Sequence, residues 1–438
     1  MIENSPFTAV GLSRRSSLRM LASAPFALGA LAAPPRPALP QSQPIEMMDR
    51  TLPRGVLPGG TYDQLIAAQA SRDQFSGTVV LVHRGKPILA RSYGMANKQL
   101  AIPNRIDTIF SLASMSKMFA GIAIAQLAAR GAVDLYSTLG SYLSGFDPDV
   151  ADAVTVQQLY THTSGLSDYQ ANSVWQAQRG TWTSVAQEFA ATLSIIQQSP
   201  LLFAPGMRYS YSNSGYYTLG AIVQQVAGLT YRDYVRQHIF SPAGMIHTDW
   251  FGPSDILTDE NIAHAYGPAQ QGGQRIDLTA QAGARGRLAD FGGGSGGGYS
   301  SAQDLLRLAA ALREGRLVPP AYADFISTGH YAVEPALQKA DQPAAQTFFS
   351  GCGFEARIVN GQRVFGHGGA APVPGGIATN LSIYPDQDWV AVILANYYFN
   401  IVPILELQDE LITSQPTRRR RVGVAAAEVN PLCAGDQA

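Results

Sequence analysis

A helix that is apolar on every side has to be buried, and residues 111–127 encode one. The run reads Ser111-Leu112-Ala113-Ser114-Met115-Ser116-Lys117-Met118-Phe119-Ala120-Gly121-Ile122-Ala123-Ile124-Ala125-Gln126-Leu127, and Gly131 supplies a stop. Any fold for this chain must wrap this segment. Lys117 sits inside it, although the chain has only four lysines among 31 basic residues and otherwise uses arginine. A buried ammonium is costly unless it is paired or gives up its proton.

Ser114 and Lys117 are three residues apart and so share a helix face. A helix starting at Ser114 leaves its backbone N–H without an intrahelical partner and aims the positive end of the helix dipole at the same point. In one reading Ser114 is a nucleophile and a desolvated Lys117 helps remove its proton. In the other Ser114 caps the helix and Lys117 snorkels outward. A lone Ser-x-x-Lys does not choose between them.

The chain has 438 residues, 46% hydrophobic and 14% charged, with net charge −1, enough for one large domain or two to three smaller ones. Near-neutral charge argues against nucleic acid or an acidic membrane as the main partner. Cys352 reads as a small buried residue and Cys433 as a tail thiol. Ser13-Arg14-Arg15-Ser16-Ser17-Leu18-Arg19, the apolar run Met20–Ala33 and the small-x-small site Ala30-Leu31-Ala32 resemble a twin-arginine leader over residues 1–33. The expectation is a periplasmic or secreted protein without stable membrane insertion.

Residues 34–60 read as a proline-rich linker, and Tyr62–Ala70 as a short helix. Phe75–Val82 and Pro87–Tyr93 form a hairpin around Arg84-Gly85. From residue 146 to 290 the pattern is helical, with capping boxes at Thr155–Gln158 and Ser184–Gln187 and helices over Tyr217–Ala227 and Tyr231–Ile239. A glycine-rich loop, Phe291–Ser301, leads into a helix over Ala302–Arg313 with its capping signal at Ser300–Gln303. Sheet returns with a hairpin through Asn360-Gly361, which suits a type I′ turn, and a second over Ile377–Tyr384 and Trp389–Ala395. Val402–Thr413 closes the fold, and 415–438 read as a solvated tail. The expected organisation is a sheet domain (61–145 and 291–414) with a helical domain (146–290) inserted.

Two further clusters carry chemistry. In the extended Tyr209-Ser210-Tyr211-Ser212-Asn213, Tyr211 and Asn213 point the same way; a phenol relays protons and an amide holds a carbonyl. In Gly366-His367-Gly368-Gly369-Ala370, glycines allow close backbone approach, a peptide-like substrate pairs with the strand edge, and His367 binds a carboxylate or tunes nearby protons.

Taken in order, Ser114-Met115-Ser116-Lys117, Tyr211-Ser212-Asn213 and His367-Gly368-Gly369 resemble the three motifs of the serine β-lactamase and penicillin-binding protein superfamily, in its class C β-lactamase and D-alanyl-D-alanine carboxypeptidase branch. Ile106–Phe110, Leu159–Leu166 and Pro205–Tyr209 look familial too, so the resemblance runs from about residue 61 to 413. It implies an α+β fold: a mainly antiparallel sheet flanked by helices, plus an all-helical domain. It implies Ser114 as nucleophile, Lys117 and Tyr211 sharing acid and base work, and Asn213 orienting Lys117 and substrate. It also implies the N–H groups of Ser114 and Ala370 as an oxyanion hole, and His367, Gly368 and Gly369 as substrate contacts. The substrate is then a small molecule or peptide, and no cofactor is expected. The third motif departs from the Lys-Thr-Gly usual in β-lactamases, which favours D-alanyl peptides or small esters and amides; β-lactam hydrolysis and non-catalytic binding of cell-wall peptide are the alternatives.

Two other readings are weaker. Gly293-Gly294-Ser295-Gly296-Gly297 matches a nucleophile elbow but lacks the buried strand that motif needs. The remaining histidines show no metal-ligand spacing, and His162 reads as structural.

Overall fold

The computed structural model describes residues 52–269, 273–284, 293–333, 347–371 and 375–414. All fall in one compact unit, Thr51–Ala438. The expected leader (1–33), the linker as far as residue 51, the Arg285–Asp290 stretch before the elbow-like glycines, Cys433 and the tail (415–438) lie outside the described residues.

An eight-stranded antiparallel sheet forms the scaffold. Its strands are β1 (Gly77–His83), β2 (Lys86–Tyr93), β3 (Tyr331–Ala332), β4 (Thr347–Ser350), β5 (Glu355–Val359), β6 (Gln362–Ala371), β7 (Ile377–Tyr384) and β8 (Trp389–Ala395). They run in the order β2-β1-β8-β7-β6-β5-β4-β3, so both ends of the chain meet where β1 pairs with β8. The expected hairpins are present. Asn360 and Gly361 both take positive φ, 51° and 74°, as a type I′ turn requires.

Both faces of the sheet are covered, which explains why its central strands read as unbroken apolar runs. Helices α1 (Thr61–Ser71) and, at the other end of the chain, Val402–Thr413 press Tyr62, Ile66, Ile404 and Ile412 onto Val79, Leu81, Val364 and Ile393. On the opposite face α2 (Lys117–Ala129) and the Ala302–Arg313 helix cover Val80, Val82, Leu381 and Val392. From α2 the same core runs on through Leu159, Tyr160, Leu219 and Ile222 into the helical section, so α2 is the shared wall of sheet and helices. No helix of the described residues is long and apolar enough to cross a membrane.

Several local expectations change. The stretch read as a linker packs from residue 52: a 3₁₀ turn, Arg54–Val56, buries Val56 beside Tyr62. The Thr155 capping box forms, whereas at Ser184 only half does, because Gln187 reaches back to the N–H of Thr183 instead. Ser301, not Ser300, caps the Ala302 helix by accepting from the N–H of Asp304. Tyr231–Val235 is α-helical and continues as a π-helix over Arg236–Phe240, which leaves the His238 carbonyl to accept from Gln126 Nε2 at 2.9 Å.

Candidate active site

The α-helix begins at Lys117, not at Ser114. A 3₁₀ turn, Ala113–Ser116, precedes it, because Ala113 adopts a left-handed φ of +47° that breaks the helical phase. Strain of this kind at a non-glycine residue gathers at functional sites. Ser116 pins the turn: its Oγ donates to the Ala113 carbonyl (2.9 Å) and accepts from the N–H of Gly298 (3.1 Å). The Met115 N–H bonds the Leu112 carbonyl at 3.1 Å, so the Ser114 N–H lies ahead of that first donor of the turn. Ser114 itself is half-buried.

Lys117 is fully buried and does not snorkel. Its Nζ donates to Asn213 Oδ1 and to the Ser295 carbonyl, each at 2.7 Å, and stands 3.3 Å from Ser114 Oγ. Amide and peptide oxygens only accept, so these two bonds each take an N–H. The remaining tetrahedral direction faces the serine hydroxyl, where an uncharged amine carries its lone pair.

Tyr211 closes the other side. Its ring lies 4.8 Å from Lys117 Nζ, and 37% of the residue is open to solvent although the phenol itself is withdrawn from water. Burial is the largest influence on the phenol and pushes it far above the usual tyrosine range. A hydrogen bond with Ser114 pulls it back, and Glu355, Tyr209 and Asp168 push it up again. At neutral pH the phenol therefore keeps its proton.

His162 holds this ring. The two rings stack at 4.5 Å, and His162 Nδ1 accepts from the N–H of Ser212, the extended residue between Tyr211 and Asn213. The neutral ring then carries its hydrogen on Nε2. Burial keeps this imidazole well below its ordinary value, and Lys117 and His367 act in the same direction.

Strand β6 forms the third wall. β5 pairs with it only as far as Glu355 opposite Gly366, so among the described residues the edge of 367–371 on that side has no strand partner. His367 and Gly369 share one face and Gly368 and Ala370 the other. A Cβ on Gly369 would lie 2.0 Å from the Leu112 carbonyl, so only glycine lets this strand press on the turn that carries Ser114. Gly368 has no such contact, its nearest neighbour being Asn380 Nδ2 at 3.7 Å; Ala370 is exposed. Buried His367 donates from Nδ1 to the Gly368 carbonyl at 2.5 Å. Burial pulls its basicity below the usual value, with Glu355 opposing and Lys117 reinforcing.

Sequence reasoning missed three participants. Ser295, set aside with the elbow motif, contributes its backbone carbonyl to Lys117, and its hydroxyl meets Tyr169 at 3.0 Å. The signal was the glycine run itself: a Cβ on Gly294 would lie 2.3 Å from the Tyr216 carbonyl, which marks a loop pressed onto a helix. Asp168 and Gln170 both accept from Asn213 Nδ2, at 2.8 and 3.3 Å. Among the described residues no group of His, Cys, Asp and Glu is arranged to hold a metal ion.

Known proteins share this architecture. A family profile, Beta-lactamase, matches residues 62–403. Penicillin-binding protein 4* of Bacillus subtilis is 32% identical over 46% of this chain and 44% of its own length. Esterase EstB of Burkholderia gladioli is 30% identical over 56% of this chain and 68% of its own. The first two curated relatives are thus matched over only about half their length (44% and 56%). The crystal structure of a penicillin-binding protein from Bacillus halodurans superposes with a TM-score of 0.65 at 26% identity, covering 79% of this chain and 98% of that one. The chain belongs to the Beta-lactamase family and has its α+β fold, an antiparallel sheet flanked by helices.

Proposed function

We propose that this chain is a serine hydrolase that cleaves amide or ester bonds through an acyl-serine intermediate. The single observation behind this reading is the convergence on Ser114: Lys117 Nζ stands 3.3 Å from its hydroxyl, and the Tyr211 ring, 4.8 Å from the same Nζ, places a phenol whose proton affinity Ser114 lowers. In the proposed reaction Ser114 Oγ attacks the substrate carbonyl while its proton passes to Lys117. The N–H groups of Ser114 and Ala370 receive the oxyanion. The leaving amine or alkoxide departs with a proton supplied through Tyr211, which is protonated at the outset. Water then attacks the acyl-enzyme by the reverse relay and frees Ser114.

D-alanyl peptides and small esters or amides are the proposed substrates. The open edge of 367–371 suits an extended acyl group. His367 is biased toward its neutral form and its Nδ1 is committed to the Gly368 carbonyl, so it offers no fixed positive charge to a ring carboxylate. That weighs against efficient β-lactam turnover. The Arg14-Arg15 leader supports export, and retention in the cytoplasm of wild-type protein, processed no differently from an Arg14→Lys/Arg15→Lys variant, would refute it.

The test is a panel of a nitrophenyl ester, a D-amino acid amide, a D-Ala-D-Ala peptide and a cephalosporin, run beside labelling with a fluorescent penicillin or phosphonate. Turnover of the ester or an amide, lost together with labelling in Ser114→Ala, is expected. Turnover that survives Ser114→Ala would refute the assignment.

A further inference from the structure

Asn213 needs something to tell it which way to face. Its side chain has one accepting and one donating end, and only the oxygen suits Lys117. Asp168 sits behind it, half-buried, with its two oxygens divided between two tasks. Oδ1 accepts from the N–H of Gln170, capping the 3₁₀ turn Tyr169–Ala171, and Oδ2 accepts from Asn213 Nδ2 at 2.8 Å. The chain Asp168–Asn213–Lys117–Ser114 is therefore continuous, with distances of 2.8, 2.7 and 3.3 Å.

We propose that Asp168 is a positioning residue: as a group that can only accept, it fixes the Asn213 amide with its oxygen toward Lys117 and sets the charge felt by the Ser114–Lys117–Tyr211 cluster. The inference deepens the serine-hydrolase reading and rests on it for its kinetic consequence, though not for its electrostatic one. The substitution Asp168→Asn creates a conflict in either orientation of the new amide. If its oxygen keeps the cap, its NH₂ faces the NH₂ of Asn213. Either Asn213 then turns its own NH₂ toward the ammonium, or the new amide turns and sets its NH₂ against the N–H of Gln170. A carboxylate avoids all three clashes.

The charge of Asp168 reaches the same cluster. Asp168 is one of the groups that push the Tyr211 phenol upward. Among the described residues, the other titratable groups around Lys117 and Tyr211 include Tyr216, whose ring is 5.7 Å from Nζ, the buried His162 and His367, Tyr209, and Glu355 at the end of β5. Removing the negative charge of Asp168 lowers the proton affinity of whichever group serves as base.

Asp168→Asn tests this. With the ester substrate, kcat is expected to fall by ~10–100-fold, the scale of a hydrogen bond to a charged group. The acid limb of the kcat/KM profile is expected to move to lower pH. A purely structural role lowers the plateau and leaves the limb in place, and an unmoved limb in a folded variant would overturn the proposal. A second readout needs no turnover. The chain has only four lysines, so ¹⁵N-lysine labelling gives four Nζ signals, with that of Lys117 assigned from Lys117→Arg. Its titration midpoint is expected to drop in Asp168→Asn, and an unchanged midpoint refutes the inference whatever the activity. If the midpoint drops while the wild type turns over nothing in the panel, the hydrolase reading fails and the Asp168 link stands. The exchange Asp168→Asn with Asn213→Asp restores donor–acceptor matching and is expected to recover the melting temperature lost in Asp168→Asn; no recovery would contradict the orientation argument.

Discussion

Arg357 and Lys117 are both cations drawn out of water, Arg357 largely and Lys117 wholly, and they are held in opposite ways. Arg357, on β5, faces the carboxylate of Asp409 with two hydrogen bonds, and Asp409 also accepts from Tyr384 at 2.6 Å. Burial is the largest influence on the guanidinium and works against it, but Asp409, Tyr384 and Glu355 together leave Arg357 above its ordinary value. Lys117 is buried completely, and the acceptors Ser114, Asn213 and the Ser295 carbonyl that hold it are uncharged. The negative charge that reaches it through hydrogen bonds, on Asp168, stands one residue back behind Asn213. A carboxylate in direct contact makes a cation permanent and structural. Neutral oxygens keep a lysine in place while leaving its proton removable, which is what a base requires.

If that contrast holds, damage to the arginine pair is read in stability and damage around the lysine in rate. The largest stability effect is expected for Asp409→Ala. It strands a guanidinium whose side chain is only 13% open to water, and the unfolding free energy should fall by up to ~3–5 kcal/mol in a denaturant titration, while ester turnover by the folded fraction changes little. Gly369→Ala is expected to affect both quantities. Its Cβ would stand 2.0 Å from the Leu112 carbonyl, and moving the Ser114 turn should cost about 1–3 kcal/mol and up to about 100-fold in kcat.

A smaller effect concerns pH. Burial holds His162 and His367 below their unfolded values, so between the lowered native values and ~6.5 the unfolded chain binds protons that the native state does not. Stability is then full above ~6.5 and falls as pH drops below it. Denaturation midpoints at pH 7 and pH 5 should show this fall. In His162→Asn, a residue that tolerates the φ of +58° found there, the fall should be shallower. The smallest effect is expected for Gly368→Ala, whose Cβ meets nothing closer than 3.7 Å; its stability should stay within about 0.5 kcal/mol of wild type.

Periodicity made the scaffold legible. Asn360-Gly361 dictates its hairpin through φ alone, and the apolar run 118–127 has nowhere to go but the core. Ser114, Lys117, Tyr211 and Asn213 were legible because side-chain chemistry leaves residue types at fixed spacing. Ser295 was marked only by the glycines around it, because it acts through a backbone carbonyl that any residue type could provide. Asp168 and Gln170 were hidden for another reason: they touch Asn213 from 45 and 43 residues away, and nothing in a linear pattern marks that meeting. The left-handed turn at Ala113 was equally silent, since alanine gives no hint of positive φ. The shift of the cap from Ser300 to Ser301 shows the same limit on a small scale, two adjacent serines being equivalent until the strand ending at Ser301 sets the register.

The most direct measurement is the single-turnover acylation rate of Lys117→Arg with an activated ester, with folding checked by melting temperature. Arginine keeps the positive charge but cannot surrender its proton at neutral pH. If Lys117 receives the proton of Ser114, acylation should slow by ~10²–10⁴-fold, the usual contribution of a positioned base. Acylation of the folded variant at close to the wild-type rate would show that charge alone suffices and would contradict the account.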